Sequence, residues 1–203
     1  MVPDGDLITL IRTIGAGDTD AAAQALASRP ELAMSHLGAG ATRASSEEFF
    51  LEGCGVQLYA GHTALHVAAA AYDIPIAVAL IGAGADVRAR NRRGAEPLHE
   101  ATRGGPGSPR WDPSRQAATI TYLIEVGAEP DAVASGGVTP LHRAVRNRCS
   151  AAVRALLDAG ADPRRPNAAG STPATLARQT TGRGGVGSPE AKAEQARIIS
   201  MLP

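Results

Sequence analysis

The sequence predicts an all-α fold in which pairs of helices stack as an α-solenoid, with extended finger loops between the pairs. The first observation is a tetrapeptide at residues 63–66 that recurs at 96–99, at 139–142 and, in decayed form, at 172–175. The second is a Gly-Ala-acid phrase at 84–86, 127–129 and 160–162. The third is the period: the glycines that precede the tetrapeptides, at 61, 94, 137 and 170, are 33, 43 and 33 residues apart. Repeats of this length indicate small units that become stable by stacking.

Residues 61–90 explain one repeat in physical terms. Thr63 is placed to cap the first helix, and proline is favoured at the next position, as Pro97 and Pro140 show in later copies. The first helix buries a stripe of Leu65, Ala68 and Ala69, and the second carries apolar residues at 76, 78, 80 and 81. Gly84 ends the second helix, where the chain needs a left-handed turn. The residues from 86 to 93 then form an extended finger.

The phrases Thr139-Pro140-Leu141-His142 and Gly160-Ala161-Asp162 resemble those of the ankyrin-repeat family, over residues 58–203 closely and over 4–32 loosely. The resemblance is to ankyrin-repeat domain proteins of the bacterial type, and it implies about five helix-turn-helix repeats in one array over 1–203. The expected parts are a degenerate N-terminal repeat at 1–32, an enlarged first finger at 33–58, repeats at 59–90, 91–134 (with an insertion) and 135–166, and a capping repeat with a Gly-rich insertion at 167–203.

Composition fits a chain of this kind. The 203 residues have a formal net charge of zero and only 3% aromatic residues. The charge is uneven along the chain: residues 1–60 carry −5, residues 61–134 carry −1 and residues 135–203 carry +6. Such asymmetry either steers a charged partner or is ordinary variation of surface charge. Two cysteines do not indicate a disulfide framework, and neither a signal peptide nor a membrane span is recognisable, so we expect a cytoplasmic protein without membrane association.

Three departures from the repeat are candidate contact elements. The enlarged first finger carries Phe49, Phe50 and Tyr59, which either bind a partner or fold back to cover the weak first repeat. Insertions with the pattern G-x-G-S-P occur at 105–109 and 185–189, and both precede a predicted helix start. The first insertion leads to Trp111, the only tryptophan, which either lies in an elongated turn or forms a second contact surface.

The motifs that resemble catalytic, metal or cofactor sites lack the neighbouring residues or elements that such sites require. The G-x-G-x-x-G pattern at 182–187 lacks the preceding strand that a dinucleotide site requires. In ankyrin repeats the tetrapeptide histidine binds backbone between repeats, so the resemblance gives His66, His99 and His142 a structural role. Cys54 and His62 form the nearest approach to a Cys–His pair, and no third orienting group is evident. We therefore expect no enzyme activity, no cofactor and no metal site.

The resemblance also predicts where a partner binds, in a concave groove lined by the fingers and the first helices. By register, repeat 2 contributes the small residues Val67, Ala70 and Ala71. The other predicted groove residues are mostly arginines: Arg90, Arg92, Arg93, Glu100, Arg103, Arg143, Arg146, Asn147, Arg164 and Arg165, with Arg88 and Asp131 on the fingers. Guanidinium groups favour carboxylate or phosphate partners.

The function predicted is therefore a non-catalytic scaffold or regulatory module that binds another protein, with an acidic segment as the first choice of ligand. The alternative is a nucleic-acid-binding or anion-binding module that uses the Arg-rich C-terminal half. A third possibility is an intramolecular or self-association role, with the enlarged finger occupying the groove of another copy. The oligomeric state is open at this point.

Overall fold

Helix pairs account for most of the fold, as the repeat predicts. The computed structural model describes residues 4–42, 45–108, 110–179 and 188–203, and it divides into an N-terminal unit (1–101) and a C-terminal unit (102–203). The helices in the described part of the N-terminal unit are α1 (Asp4–Ala16), α2 (Thr19–Ser28), α3 (Ala64–Ala71), α4 (Ile74–Gly82) and α5 (Pro97–Ala101). Those in the described part of the C-terminal unit are α6 (Pro113–Glu125), α7 (Pro140–Asn147), α8 (Ser150–Asp158), α9 (Pro173–Ala177) and α10 (Pro189–Met201). The all-α fold class is confirmed.

Each unit has two layers of helices. In the N-terminal unit α3 packs between α1 and α5, while α2 and α4 pack together behind them. In the C-terminal unit α7 packs on α9, and α8 lies against both α6 and α10. The predicted apolar stripe is buried, because Leu65, Ala68 and Ala69 have no exposed surface. On α4, however, Ile76 and Leu80 are buried whereas Val78 is 48% exposed, so only part of that predicted set faces the core.

At α3, α7 and α9 the tetrapeptide starts the first helix with a reciprocal cap. Thr63 precedes α3, and its hydroxyl accepts a hydrogen bond from the backbone N–H of His66 at 3.4 Å, while the His66 ring accepts one from the backbone N–H of Thr63 at 3.2 Å. Thr139 and His142 repeat this arrangement at α7. The decayed copy keeps this reciprocal cap at α9, where Thr172 precedes the helix and Thr175 takes the place of the histidine. The repeated tetrapeptide is therefore a helix-start signal.

The second helices α2, α4, α6 and α8 have acidic side chains at their N-termini. Asp73 caps α4 by accepting from the N–H of Ile76 at 3.1 Å, and its other oxygen accepts from the Thr19 hydroxyl at 2.7 Å, which ties α4 to the start of α2. At α8, Cys149 offers no side-chain cap, and Glu194 of α10 takes its place by accepting from the Ser150 N–H at 2.7 Å. A carboxylate at a helix N-terminus also interacts favourably with the helix dipole.

The predicted enlarged first finger contains a 3₁₀ turn at Pro30–Met34 and a small hairpin of β1 (Phe50–Leu51) and β2 (Val56–Gln57). The two strands are antiparallel, with Leu51 opposite Val56. The hairpin packs on α1, where a Cβ atom added to Gly15 would lie 3.0 Å from Leu51 Cδ1. This part of the chain therefore folds back on the first repeat, and Gly15 leaves room for Leu51 to do so.

The aliphatic residues of this segment, and not its aromatic residues, provide most of the surface that packs on the first repeat. Phe50 is 45% exposed and Phe49 is half-buried, whereas Leu51, Val56 and Leu58 are buried. Successive strand residues point to opposite faces, so placing Leu51 against α1 turns Phe50 outward. Of the two alternatives for Phe50, its exposure therefore favours contact with a partner over covering the first repeat.

The first insertion forms a turn that packs against Asn147 and Cys149. The thiol of Cys149 donates to the carbonyl of Gly104 at 3.1 Å, and a Cβ atom added to Gly105 would meet the Asn147 carbonyl at 2.2 Å. Trp111 is half-buried, and its indole N–H donates to Gln116 at 3.0 Å. Asp112 and Ser188 cap α6 and α10 as predicted. The G-x-G-x-x-G pattern at 182–187 lies outside the described residues.

Candidate functional site

The fingers are held by backbone hydrogen bonds to their neighbours within each unit. In the N-terminal unit the Arg92 N–H donates to the Ala60 carbonyl at 2.8 Å, and in the C-terminal unit the Ala168 N–H donates to Gly136 at 2.8 Å. At the equivalent finger tips, the side-chain oxygens of Asn91 and Asn167 each accept two backbone N–H groups. The same local chemistry therefore builds both fingers, and it fixes the side chains that they carry.

The tetrapeptide histidines link first helices to fingers. His66 Nδ1 accepts from the Thr63 N–H, so Nε2 carries the proton and donates to the Ala95 carbonyl at 2.9 Å. His142 likewise donates to the Ser171 carbonyl at 3.0 Å. Burial, above all, lowers the pKa of His142, which favours the neutral ring that this arrangement needs. The structural role predicted for these two histidines is confirmed.

His62 is held by the loop before it and by the next finger. Its Nδ1 accepts a hydrogen bond from the Tyr59 N–H at 2.9 Å. Its Nε2 lies 3.3 Å from the side-chain nitrogen of Asn91, whose oxygen accepts two backbone N–H groups. His62 is fully buried and the Cys54 thiol lies by Gly15, so the geometry gives the two residues separate structural environments.

The arginines of the N-terminal unit bind within that unit. Arg90 donates to one oxygen of the buried Glu96 at 3.0 and 2.9 Å. Arg92 donates to the Ala41 carbonyl at 2.6 Å, and its guanidinium lies 4.9 Å from the Tyr59 ring centre. Arg93 lies over the same ring at 4.3 Å. The contacts of Arg92 and Arg93 attach the enlarged first finger to the next finger, and all three arginines remain exposed.

Several predicted groove residues do not offer a free surface. Glu100 is only 1% exposed, because all five residues of the short α5 are buried and the helix has no open face. Val67 and Ala70 are also buried, since every residue from Ala64 to Ala70 of α3 is enclosed. Asn147 is half-buried, and its amide donates to the Thr102 carbonyl at 2.8 Å. Glu100, Val67 and Ala70 therefore serve packing and offer little surface, while the groove assignment of the half-buried Asn147 stays a prediction.

Three exposed arginines of the C-terminal unit differ from those of the N-terminal unit in their contacts. Arg146 on α7 and the finger residues Arg164 and Arg165 are exposed, Arg143 and Arg103 are half-buried, and no hydrogen bond or ion pair to a described residue engages the first three guanidinium groups. The charges of Arg146 and Arg165 both act on His142, in the direction that lowers its pKa, and Asp131 acts in the opposite direction. We call Arg143, Arg146, Arg164 and Arg165 the basic surface.

Asp131 contributes a negative charge to the same region and also holds the fingers in place. Both of its oxygens accept from the backbone N–H of Asp162 at 3.1 Å, which joins two neighbouring fingers. Asp162 in turn accepts from the backbone N–H of Arg164 at 2.8 Å. These bonds fix the backbone that carries Arg164 and Arg165, so the two arginines project from an ordered finger.

A small pocket adjoins the basic surface. It has a volume of about 90 Å³ and lies where α7, α9 and α10 meet, with Val145, Leu176 and Ile198 among its apolar walls and Arg146 at its edge. A larger cleft of about 540 Å³ lies within the N-terminal unit, between the first and second fingers, and Met34, His36, Asp86 and Arg90 line part of it. Only the small pocket combines apolar walls with a guanidinium that no described residue engages.

Comparison with known proteins agrees with this architecture. Residues 60–92 match the family model described as "Ankyrin repeat", and residues 123–177 match the model described as "Ankyrin repeats (many copies)". Ankyrin repeats are therefore detected in both units. The chain is also similar to the mouse (Mus musculus) "Ankyrin repeat and SOCS box protein 16", at 39% identity over 89 residues. That match covers 43% of this chain and 19% of the mouse protein.

Ankyrin repeats generally mediate protein–protein interaction and are generally non-enzymatic. The described residues agree with a binding role, because Arg146, Arg164 and Arg165 are exposed and their guanidinium groups make no hydrogen bond or ion pair to a described residue. Burial raises the pKa of the Cys149 thiol to about 12, so it is a poor nucleophile. Within the described ranges, no cluster of three potential metal ligands occurs, and no helix has the length and apolar character needed to cross a bilayer.

Proposed function

We propose that this protein is a non-catalytic binding module, a scaffold or regulator, whose C-terminal unit binds an acidic segment of another protein. The observation that carries the proposal is the exposed basic surface on α7 and the following finger. The equivalent arginines of the N-terminal unit already bind Glu96, Ala41 and Tyr59 within the fold. The concave groove predicted from the sequence is therefore proposed to act through its C-terminal part.

Charge and geometry support an acidic ligand. Arg146 and Arg165 lie close enough to His142 for both to act on its pKa, so their fields add in one region. Guanidinium groups bind carboxylates through paired hydrogen bonds, and clustered positive charge speeds the approach of an acidic partner. The finger backbone is fixed by its own hydrogen bonds, so little conformational freedom is lost when a ligand binds.

A binding experiment with a charge-reversed variant tests the proposal. The probe is a fluorescein-labelled Glu-rich peptide, and its anisotropy is measured with the wild-type chain and with R146E/R165E. We expect the variant to bind about tenfold or more weakly, because two attractions become repulsions. Both sites are exposed, so we expect each change to alter the free energy of unfolding by only about 0.5 kcal/mol.

A matched variant controls for net charge. R154E/K192E makes the same change in total charge at two other exposed positions of the C-terminal unit. We expect it to bind the peptide nearly as the wild type does, apart from a small long-range effect. Equal weakening in both variants would show that net charge, and not the basic surface, controls binding. A matching peptide with Gln in place of Glu should bind neither protein.

Nucleic acid or another anion is the alternative ligand for the same arginines. Binding of single-stranded DNA generally needs aromatic platforms beside a basic groove. Here Tyr59 lies against two arginines of its own unit, and the Trp111 indole is bound to Gln116. We therefore expect weak binding of labelled random DNA, and a steep salt dependence with affinity equal to that of the peptide would favour the alternative.

The other sequence-based assignments are part of the proposal. The cytoplasmic location, the bacterial-type assignment and the single five-repeat array remain predictions. Experiments are better designed on the two units than on a single array, because each unit contains a detected repeat segment and its own core.

A further inference from the structure

The hairpin at residues 45–57 has a buried side and an acidic side. Leu51 and Val56 are buried, and Leu51 lies against Gly15 of α1. The opposite side presents an aromatic ring with carboxylates near it in the sequence, because Phe50 is 45% exposed and Glu47, Glu48 and Glu52 are exposed. We call this side the acidic hairpin face.

The neighbouring carboxylates distinguish Phe50 from an isolated exposed apolar side chain. Single exposed apolar side chains are common on protein surfaces and need no special explanation. An aromatic ring flanked by carboxylates, however, can fill an apolar pocket while its neighbours form ion pairs at the pocket rim, which is the usual arrangement of a protein–protein contact. The hairpin holds Phe50 outward through its strand pairing, so the ring is already placed for such a contact.

The C-terminal unit carries the complementary features. The pocket of about 90 Å³ is lined by Val145, Leu176 and Ile198 together with polar side chains that include Arg146 and Gln195. It is smaller than the ~150 Å³ that encloses benzene completely, so it can take the edge of an aromatic ring and not the whole ring. Arg146 can stack on an aromatic face as well as bind a carboxylate. Arg165 provides further positive charge in the same region.

We propose that the acidic hairpin face of one copy of this chain docks on the basic surface of a second copy. The edge of the Phe50 ring enters the small pocket, and Glu47 and Glu48 pair with Arg146 and Arg165. This inference rests on the proposed function, because it names a second copy as the source of the acidic segment. The uneven charge supports it, since residues 1–60 carry −5 and residues 135–203 carry +6. Each copy has one surface of each kind, so the contact joins unlike surfaces.

Sedimentation equilibrium over a range of protein concentrations tests the proposal. We expect the wild-type chain to self-associate at ~50 mM NaCl, with a dissociation constant that rises about tenfold at ~0.5 M NaCl as the ion pairs are screened. F50A should raise the dissociation constant about tenfold, because a buried aromatic anchor is lost. V78A is the matched control: Val78 is 48% exposed, and its truncation should leave association unchanged.

Complementary charge reversal is the stricter test. E47R/E48R and R146E/R165E should each remain monomeric, because each variant places like charges opposite one another. Mixing the two should restore association, since every contact in the mixed complex again joins opposite charges. E125R/E190R reverses two exposed carboxylates elsewhere and should associate like the wild type. Circular dichroism of each variant checks that it is folded.

Three results would overturn the inference: a wild-type chain that stays monomeric at low salt, association that is unaffected by both F50A and the charge reversals, or variants that do not complement each other. The proposed function can survive such a failure. If the wild-type chain is monomeric but R146E/R165E still loses the Glu-rich peptide, the basic surface binds acidic segments of other proteins and only the choice of partner is wrong. If R146E/R165E binds the peptide normally, the proposed function fails as well.

Discussion

Replacing His66 tests the contact that links a first helix to the next finger. The ring is fully buried, accepts a hydrogen bond from the Thr63 N–H at 3.2 Å and donates one to the Ala95 carbonyl at 2.9 Å. In H66A the Thr63 N–H loses this partner. Ala95 keeps a hydrogen bond from the Asn91 N–H at 3.1 Å, so only one of its bonds is lost. An unsatisfied buried donor costs about 1–3 kcal/mol and a lost bond about 1 kcal/mol.

The cavity left by the ring adds to this, so we expect H66A to lower the free energy of unfolding by about 3 kcal/mol. H66Q separates the two contacts. A glutamine at the third helical position can still cap the Thr63 N–H but does not reproduce the bond to Ala95, so it should cost about half as much. Urea unfolding followed by circular dichroism measures both values.

The exposed His36 provides the control, and H36A should change the free energy of unfolding by no more than about 0.5 kcal/mol. A cost below about 1 kcal/mol for H66A would refute the reasoning, because it would mean that water or a neighbouring group replaces the imidazole. Equal costs for H66A and H66Q would show that the bond to Ala95, and not the cap, dominates.

Two further predictions concern protonation and close backbone contact. Burial lowers the pKa of His142 below its ordinary 6.5, so the unfolded chain binds more protons than the folded chain near that pH. The free energy of unfolding should therefore fall as the pH drops below about 6.5. H142Q should flatten a plot of the urea midpoint against pH. An identical slope in H142Q would contradict this assignment. Gly61 has a φ of +81°, and an added Cβ would lie 2.9 Å from the Arg90 carbonyl oxygen, so G61A should cost about 2 kcal/mol or more. Gly55 has a φ of +66° with open space around it, so G55A should show only the backbone strain of about 1 kcal/mol, and equal costs would argue against the clash.

Much of the fold could be predicted because the repeat encodes local chemistry. Thr63 and Thr139 mark helix starts through caps that involve residues only three positions apart. Gly84 and Gly160 have positive φ angles of 96° and 88°, as the predicted left-handed turns require. Two turns were not recognisable in this way, since Tyr72 and Arg148 adopt left-handed backbone without being glycine. Both are buried, so packing around them stabilises a conformation that their residue type disfavours.

The candidate site was predicted less well, because register gives position but not contacts. Arg90 and Arg146 were predicted to line the same groove and both are exposed, yet Arg90 binds Glu96 while no described residue makes a hydrogen bond or ion pair with the Arg146 guanidinium. The unusual glutamate at the tetrapeptide start was a visible signal, since Glu96 replaces the Thr found in the other copies. A buried carboxylate needs a cation, and Arg90 six residues earlier is the one that it receives.

The sequence by itself determined the helix pairs, their caps, the left-handed glycines and the uneven distribution of charge. These features depend on residue type and short spacing, which a sequence shows directly. Only the tertiary structure decided which charged groups are already bound. Tyr59 lies against Arg92 and Arg93, Asn147 holds the segment at Thr102, and Arg146 stays exposed beside an apolar pocket. Such outcomes depend on contacts between residues far apart in the chain. The residue type alone does not show whether a guanidinium group will contact a ring, a carbonyl oxygen or water.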